Sequence, residues 1–165
     1  MNDINIRLAS HDDIEDILYI YNEGIVDRIA TLETTMKDQY FMIDWFNKHT
    51  DRYKVIVAEI DGEVIGWASL NQYNSREAYN GVADLSLYIK REYQDKGVGG
   101  KLLSKIEGLA IENGFHKMIL STFPFNQLGQ GLYKKKGFRV VGVFQNQGKL
   151  DGEFVDVMAM EKLLF

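Results

Sequence analysis

Gln94-Asp95-Lys96-Gly97-Val98-Gly99-Gly100 decides how this chain is read. Three glycines in four residues let successive backbone N–H groups converge on one concavity. Behind them Val98, Leu102, Leu103, Ile106, Leu109 and Ala110 fall on one helical stripe, which predicts a helix over residues 97–112. The first amides of a helix carry partial positive charge, so a glycine turn there suits a pyrophosphate without a metal. A tight strand-to-helix turn is the plainer reading of the same glycines. Two other phosphate loops fail on residues. A Walker loop needs glycine where Asp95 stands and serine or threonine where Leu102 stands. A dinucleotide fingerprint needs glycine or alanine at that same Leu102.

Upstream of the loop, Leu85, Leu87 and Ile89 alternate, so residues 82–90 read as a strand. Asp61-Gly62 separates two β-rich runs, residues 54–60 and 63–70, and signals a hairpin whose turn positions need positive φ. Nearer the N-terminus, Ile4, Ile6 and Leu8 suggest a first strand. Ser10 followed by Asp13 resembles a capping box, opening a helix over residues 12–26. Residues 27–38 are polar and irregular, and Tyr40, Phe41, Trp45 and Phe46 populate a second helix.

Downstream, Asn113-Gly114 stops the glycine-loop helix. Residues 117–122 read as a strand and 127–136 as a short helix ended by Gly137. Residues 138–144 and 153–160 complete the sheet, joined by a loop around Gly148 and Gly152. The order β-α-α-β-β-β-α-β-α-β-β predicts an α/β (α+β) domain, a mixed sheet flanked by helices, over residues 1–165.

Composition bounds the function. A hydrophobic share of 45% with 26% charged residues reads as a soluble globular chain. The 24 acidic residues outnumber the 19 basic, and a net charge of -5 argues against a dedicated nucleic-acid binder. The absence of cysteine excludes disulfides, thiolate nucleophiles and cysteine zinc sites. His11, His49 and His116 are too scattered to form a ligand-spaced pair, so no metal is expected. The first eight residues alternate polar with apolar and lack a signal core. No stretch reaches the about 20 apolar residues of a membrane span, so a cytoplasmic protein is expected.

Gln94, Gly97 and Gly99 stand in register with the acyl-CoA motif Q/R-x-x-G-x-G/A, and Asn126, Tyr133 and Gly137-Phe138 match N-x6-Y-x3-G-F. Together, in this element order, they resemble the GNAT superfamily of N-acetyltransferases. Ile6-Arg7-Leu8-Ala9, Trp45-Phe46, Gly66-Trp67-Ala68, Ala78-Tyr79, Asp84, Ser86 and Tyr88 extend the likeness to its phosphinothricin and methionine sulfoximine acetyltransferase branch. The resemblance implies a mostly antiparallel sheet with splayed fourth and fifth strands, and acetyl-CoA as co-substrate. It also implies direct ternary-complex transfer to the α-amino group of a small glutamate-like amino acid or analogue. Members are homodimers.

The same resemblance assigns roles. Asp84 aligns with a glutamate and is the candidate base, directly or through water; the alternative is a sheet anchor or a seat for the substrate ammonium. Tyr133 is the candidate acid for the departing thiolate, with a core aromatic as the alternative; the branch itself usually carries histidine there. Backbone contacts to the coenzyme fall to Leu87 and Ile89, the pyrophosphate to Gln94, Asp95, Lys96, Gly97, Val98, Gly99 and Gly100, and pantetheine to Asn126. Tyr73, Asn74, Ser75, Arg76 and Tyr79 form the candidate acceptor loop, with Arg76 as carboxylate clamp, Arg28 as second choice, and surface roles open to both. Glu77 and Asn80 stand where the branch often has proline and a basic residue, which leaves the choice of amine open. A peptide, polyamine or aminoglycoside acceptor, or a non-catalytic CoA-binding module, are the other readings.

Overall fold

The computed structural model describes residues 3–165; Met1 and Asn2, which begin the alternating N-terminal stretch, lie outside the described residues. Strand β1 (Asn5–Leu8) leads through a 3-10 turn (His11–Asp13) into helix α1 (Ile14–Asp27). The Ser10 signal is used as read: the Asp13 carboxylate accepts the Ser10 backbone N–H at 2.8 Å. Arg7 donates to both oxygens of Asp13, each at 2.8 Å, and holds that carboxyl below its ordinary pKa. Helix α2 (Gln39–Lys48) is capped by Asp38, whose side chain accepts the Phe41 N–H at 2.9 Å. Then come β2 (Val55–Ile60), β3 (Glu63–Gln72), β4 (Val82–Ile89), α3 (Val98–Glu112), β5 (Lys117–Thr122), α4 (Gln127–Lys135), β6 (Arg139–Leu150) and β7 (Glu153–Leu163).

The seven strands form one sheet in the order β1-β2-β3-β4-β5-β7-β6. Strand β2 is apolar at nearly every position because both of its faces are covered. Ile56 and Ala58 pack with Leu102, Leu103 and Ile106 of α3. Val55 and Val57 pack on the other face with Ile17 and Ile20 of α1 and Met42 of α2. The alternation of Leu85, Leu87 and Ile89 is realised as expected, all three turned toward the α3 core.

Among the described residues only β4 and β5 pair in parallel, and only briefly: Val82, Ala83 and Asp84 lie against Lys117, Met118 and Ile119. Both strands run on, but from residue 85 they have parted. Lys90 donates to the Ile65 carbonyl at 2.8 Å. Peptide groups alternate along an antiparallel ladder, so those of Leu85, Leu87 and Ile89 face the gap rather than β3.

The last two strands differ from the sequence expectation. They extend beyond residues 138–144 and 153–160, and they turn at Asp151-Gly152 with φ of 50° and 84°. This repeats the first hairpin, where Asp61 and Gly62 have φ of 51° and 80°. Gly148 pairs with Val155 inside β6 instead of lying in a connecting loop. Register shifts between Phe144 and Gly148, where Asn146 has φ 48° and donates its N–H to Asp156 at 2.8 Å. A bulge of this kind breaks the period of two, which is why the alternation stops at Phe144. Among the described residues no helix is long and apolar enough to cross a membrane.

Candidate active site

Asp84 is the last residue of β4 still paired with β5, so it sits where the strands begin to part. Burial pushes its carboxyl pKa up to about 6, with the Asn71 amide opposing the rise. At neutral pH it is a carboxylate that can still take a proton. Beside it opens a cavity of ≈ 390 Å³, lined by Ser86, Tyr88, Thr122, Tyr133 and Gln147 among others. Behind this wall Tyr88 stacks on Trp67 (centroids 4.9 Å apart) and meets the edge of Tyr21 at 5.1 Å. Burial raises the Tyr88 phenol well above its ordinary value.

A second cavity, ≈ 520 Å³, runs along the β4 side of the gap to the glycine loop, past Ile89, Gln94, Gly97, Gly99 and Lys135. Ala30, Leu87, Tyr88, Asn126 and Tyr133 line both spaces, so the two meet. Tyr133 stands at this junction. Desolvation lifts its hydroxyl to a pKa of about 12, so the phenol keeps its proton at neutral pH and is available as a donor. Its ring is held edge-on against Phe138, 5.8 Å away.

The cradle is built by backbone. Asp95 (φ 59°) and Gly97 (φ 85°) turn left-handed just ahead of α3, a backbone path that can gather successive amides on one concavity. At Gly99 a Cβ would lie 2.6 Å from Leu132 Cδ2 and 3.1 Å from Ile89 Cδ1, so the two walls close in on a residue without a side chain. Gln94 uses its amide to donate to the Ile89 carbonyl at 3.3 Å, fastening the loop to the end of β4. Val98 buries its side chain in the core and can offer the groove only backbone. Lys96 rests over the Tyr93 ring, 5.7 Å from its centroid, away from the groove lining. Asn126 caps α4 by accepting the Gly129 N–H at 3.1 Å, and reaches the junction from that position.

Arg28 is turned away from the Asp84 cavity, whose lining it does not join. It ends α1 at φ 58°, pairs with Asp151 at 3.0 and 3.3 Å, and donates to the Ile25, Glu33 and Thr34 carbonyls. A guanidinium so engaged ties the segment after α1 to the β6–β7 hairpin. Tyr73, Asn74, Ser75, Arg76 and Tyr79 do share one loop at the start of β4, but none of them lines the Asp84 cavity. Tyr73 packs on Tyr79 at 5.5 Å, and Asn74 accepts the Arg76 N–H at 2.9 Å. Arg76 itself is exposed. The loop is anchored by Arg52, which donates to the Asn80 carbonyl at 2.7 Å and lies 3.9 Å over the Phe115 ring.

Sequence reasoning passed over Thr31, Leu32 and Gln147, which close the far side of the cavity. The first two sit in the polar stretch 27–38, which has no periodicity to mark it, and Gln147 sits in the β6 bulge. A signal for the hairpin that carries Gln147 was present in Asp151-Gly152.

A family model described as the acetyltransferase (GNAT) family matches residues 15–138, over the glycine loop, the parting strands and α4. The chain belongs to the GNAT family. A Bacillus subtilis (strain 168) protein, YwnH, provisionally named a phosphinothricin acetyltransferase, is 32% identical over 98% of this chain and 99% of its own length. The L-methionine sulfoximine/L-methionine sulfone acetyltransferase of Pseudomonas aeruginosa is 29% identical over 95% of this chain and 92% of that protein. The crystal structure of a GNAT phosphinothricin acetyltransferase from Sinorhizobium meliloti, in complex with acetyl-CoA, superposes with a TM-score of 0.92. It is 29% identical, over 97% of this chain and 88% of that one. This GNAT chain is thus an acetyl-CoA-dependent acetyltransferase, and the glycine cradle and the unpaired peptide edge of β4 are features that fit the coenzyme.

Proposed function

We propose that this GNAT enzyme acetylates the α-amino group of a small L-amino acid of the methionine sulfoximine or phosphinothricin type. The observation that carries the reading is the junction of the two cavities at Tyr133, with Asp84 in the smaller one. A space of ≈ 390 Å³ suits a free amino acid. Acetyl-CoA supplies the activated acyl group; residues 94–100 hold its pyrophosphate, Leu87 and Ile89 hold its pantetheine by backbone, and Asn126 borders it. Asp84 takes the proton of the acceptor ammonium, directly or through a water, and leaves a neutral amine to attack the thioester carbonyl. As the tetrahedral adduct collapses and the C–S bond breaks, Tyr133 gives its proton to the sulfur. The surplus proton on the acylated nitrogen passes through solvent to restore the tyrosinate, and Asp84 releases its own proton to solvent. The acceptor carboxylate is assigned to Arg76, which is exposed on the loop ahead of β4, outside the cavity lining, and reaches the acceptor only if that loop folds over the cavity. The enzyme works in the cytoplasm and as a homodimer; the second of these is supported by exposed Val141 and Phe144 on the edge strand β6 and Phe154 on the neighbouring β7.

A second acceptor class follows from one observation: among the described residues no lysine or arginine lines the Asp84 cavity. A peptide N-terminus, with no carboxylate beside its amine, needs none. Thiol release is the measurement that separates the two, with methionine sulfoximine, phosphinothricin, free amino acids and short peptides in competition. Free amino acids are expected to win, and Arg76→Ala to raise their KM roughly tenfold or more with little change in kcat. Preference for peptides, or an unmoved KM in the variant, would transfer the reading to the second class.

Tyr133→Phe removes the proposed donor and leaves the ring that packs on Phe138. Its kcat is expected to fall by roughly 10²-fold, while the dissociation constant for CoA, measured by calorimetry, stays put. An unchanged kcat would return Tyr133 to a packing role.

A further inference from the structure

Beside Asp84, on neighbouring β3, the Asn71 amide belongs to a polar cluster whose remaining members have no role in the site as described. Asn71 on β3 donates through Nδ2 to the Asp84 backbone carbonyl at 3.1 Å and to Ser86 Oγ at 2.9 Å. Its Oδ1 faces Ser69 Oγ at 3.0 Å and His49 Nε2 at 2.6 Å. On the other side of the imidazole, His49 Nδ1 lies 2.8 Å from the Trp45 carbonyl, and the Trp45 ring centroid is 4.2 Å away.

Donor and acceptor types leave little freedom here. The Asp84 carbonyl can only accept, so the amide nitrogen of Asn71 must face it, and Oδ1 is thereby turned to His49. Ser69 Oγ can donate to that oxygen, and so can His49 in the tautomer that carries its hydrogen on Nε2, while the Trp45 ring beside it holds the imidazole in place.

We propose that His49 and Asn71 are positioning residues for the base: the His49 imidazole pins the Asn71 amide oxygen so that its N–H₂ end supports Asp84 and Ser86. The proposal rests on Asp84 being the base. Two consequences follow at the site. Asn71 is the one side chain that favours the ionised form of Asp84, against burial. Ser86 Oγ, receiving the Asn71 N–H, keeps its own hydrogen to donate into the cavity it lines. The other titratable side chains lining that cavity, Tyr88 on β4 and Tyr133 on α4, do not contribute to the Asp84 shift, and no charged group from β3 or β5 does.

The test follows the Asp84 carboxyl directly, by its ¹³C resonance against pH, alongside the pH profile of kcat/KM. Asn71→Ala is expected to move the Asp84 midpoint up by roughly half a unit or more, and Asn71→Asp further, because a like charge replaces a donor. His49→Phe keeps a ring against Trp45 but frees the amide, and should move the midpoint part of the way. In the double variant His49→Phe, Asn71→Ala the histidine change should add nothing, since it acts through the amide. An unmoved midpoint in Asn71→Ala, or a full histidine effect persisting in the double variant, overturns the proposal. So does ¹⁵N evidence, on the unmodified protein, that Nε2 of His49 lacks a hydrogen; this needs no variant to fold. If the carboxyl midpoints shift as expected while kcat/KM does not follow them, the positioning stands and the assignment of Asp84 as base is what fails.

Discussion

Asp84→Asn should cost most of the turnover and yet give a more stable protein above pH 7. An amide cannot take the ammonium proton, and loss of a placed base lowers kcat/KM by roughly 10²–10⁴-fold. The stability gain follows from burial. The Asp84 carboxyl titrates at about 6 in the folded chain against an ordinary 3.8. A raised value means that the folded state holds the proton more tightly than the unfolded one. The stability contributed by the protonated form is therefore full below about pH 4 and is lost as pH rises through 6. Above that the buried carboxylate costs about 3 kcal/mol, an upper figure, because one pKa unit corresponds to about 1.4 kcal/mol. Asparagine carries no such cost, so denaturant unfolding at pH 8 should show the variant ahead, with the difference vanishing near pH 4. In the unmodified enzyme kcat/KM should rise through pH 6 for the same reason. A variant that loses activity but shows no pH-dependent gain in stability would mean that the carboxylate is better solvated than its surroundings suggest.

Gly99→Val is expected to raise the dissociation constant of CoA by roughly 10²-fold or more while the fold survives. Its Cβ would enter within 2.6 Å of Leu132 Cδ2 and 3.1 Å of Ile89 Cδ1. Both are far ends of flexible side chains and can swing aside at modest cost, and a side chain on the first turn of α3 is compatible with a helix. What cannot be recovered is the space between β4 and α4 that these residues frame beside the loop amides. Displaced leucine and isoleucine carbons would occupy it instead. Calorimetry with CoA and thermal unfolding separate the two effects. Near-native affinity in a folded variant would place the coenzyme elsewhere, and the mechanism built on the glycine cradle would go with it.

The frame was legible in the sequence wherever local chemistry and global packing agreed. Asp61-Gly62, the Ser10–Asp13 cap, the alternation in β4 and the stripe of α3 each have a local cause, and each stands where its pattern put it. The parting of β4 and β5 has no local signature. It was accessible through resemblance, because nothing in residues 82–90 or 117–122 says that pairing ends after three residues. The site was legible in proportion to how much of it is backbone. Glycines announce the cradle, whereas the acceptor pocket is assembled from side chains on β4, the stretch after α1 and the β6 bulge. Arg28 shows the limit most clearly. Its type and position fit a carboxylate clamp, and the carboxylate it grips belongs to Asp151, 123 residues away in the chain. The His49–Asn71 contact is equally invisible from spacing, since it joins the end of a helix to the middle of a sheet.

Because only three residue pairs join β4 to β5, hydrogen bonding divides the described sheet into a part of four strands and a part of three that share a short seam. A molecule seated in the wedge beyond the seam would touch both parts at once, and Asp84 stands at the seam's last pair.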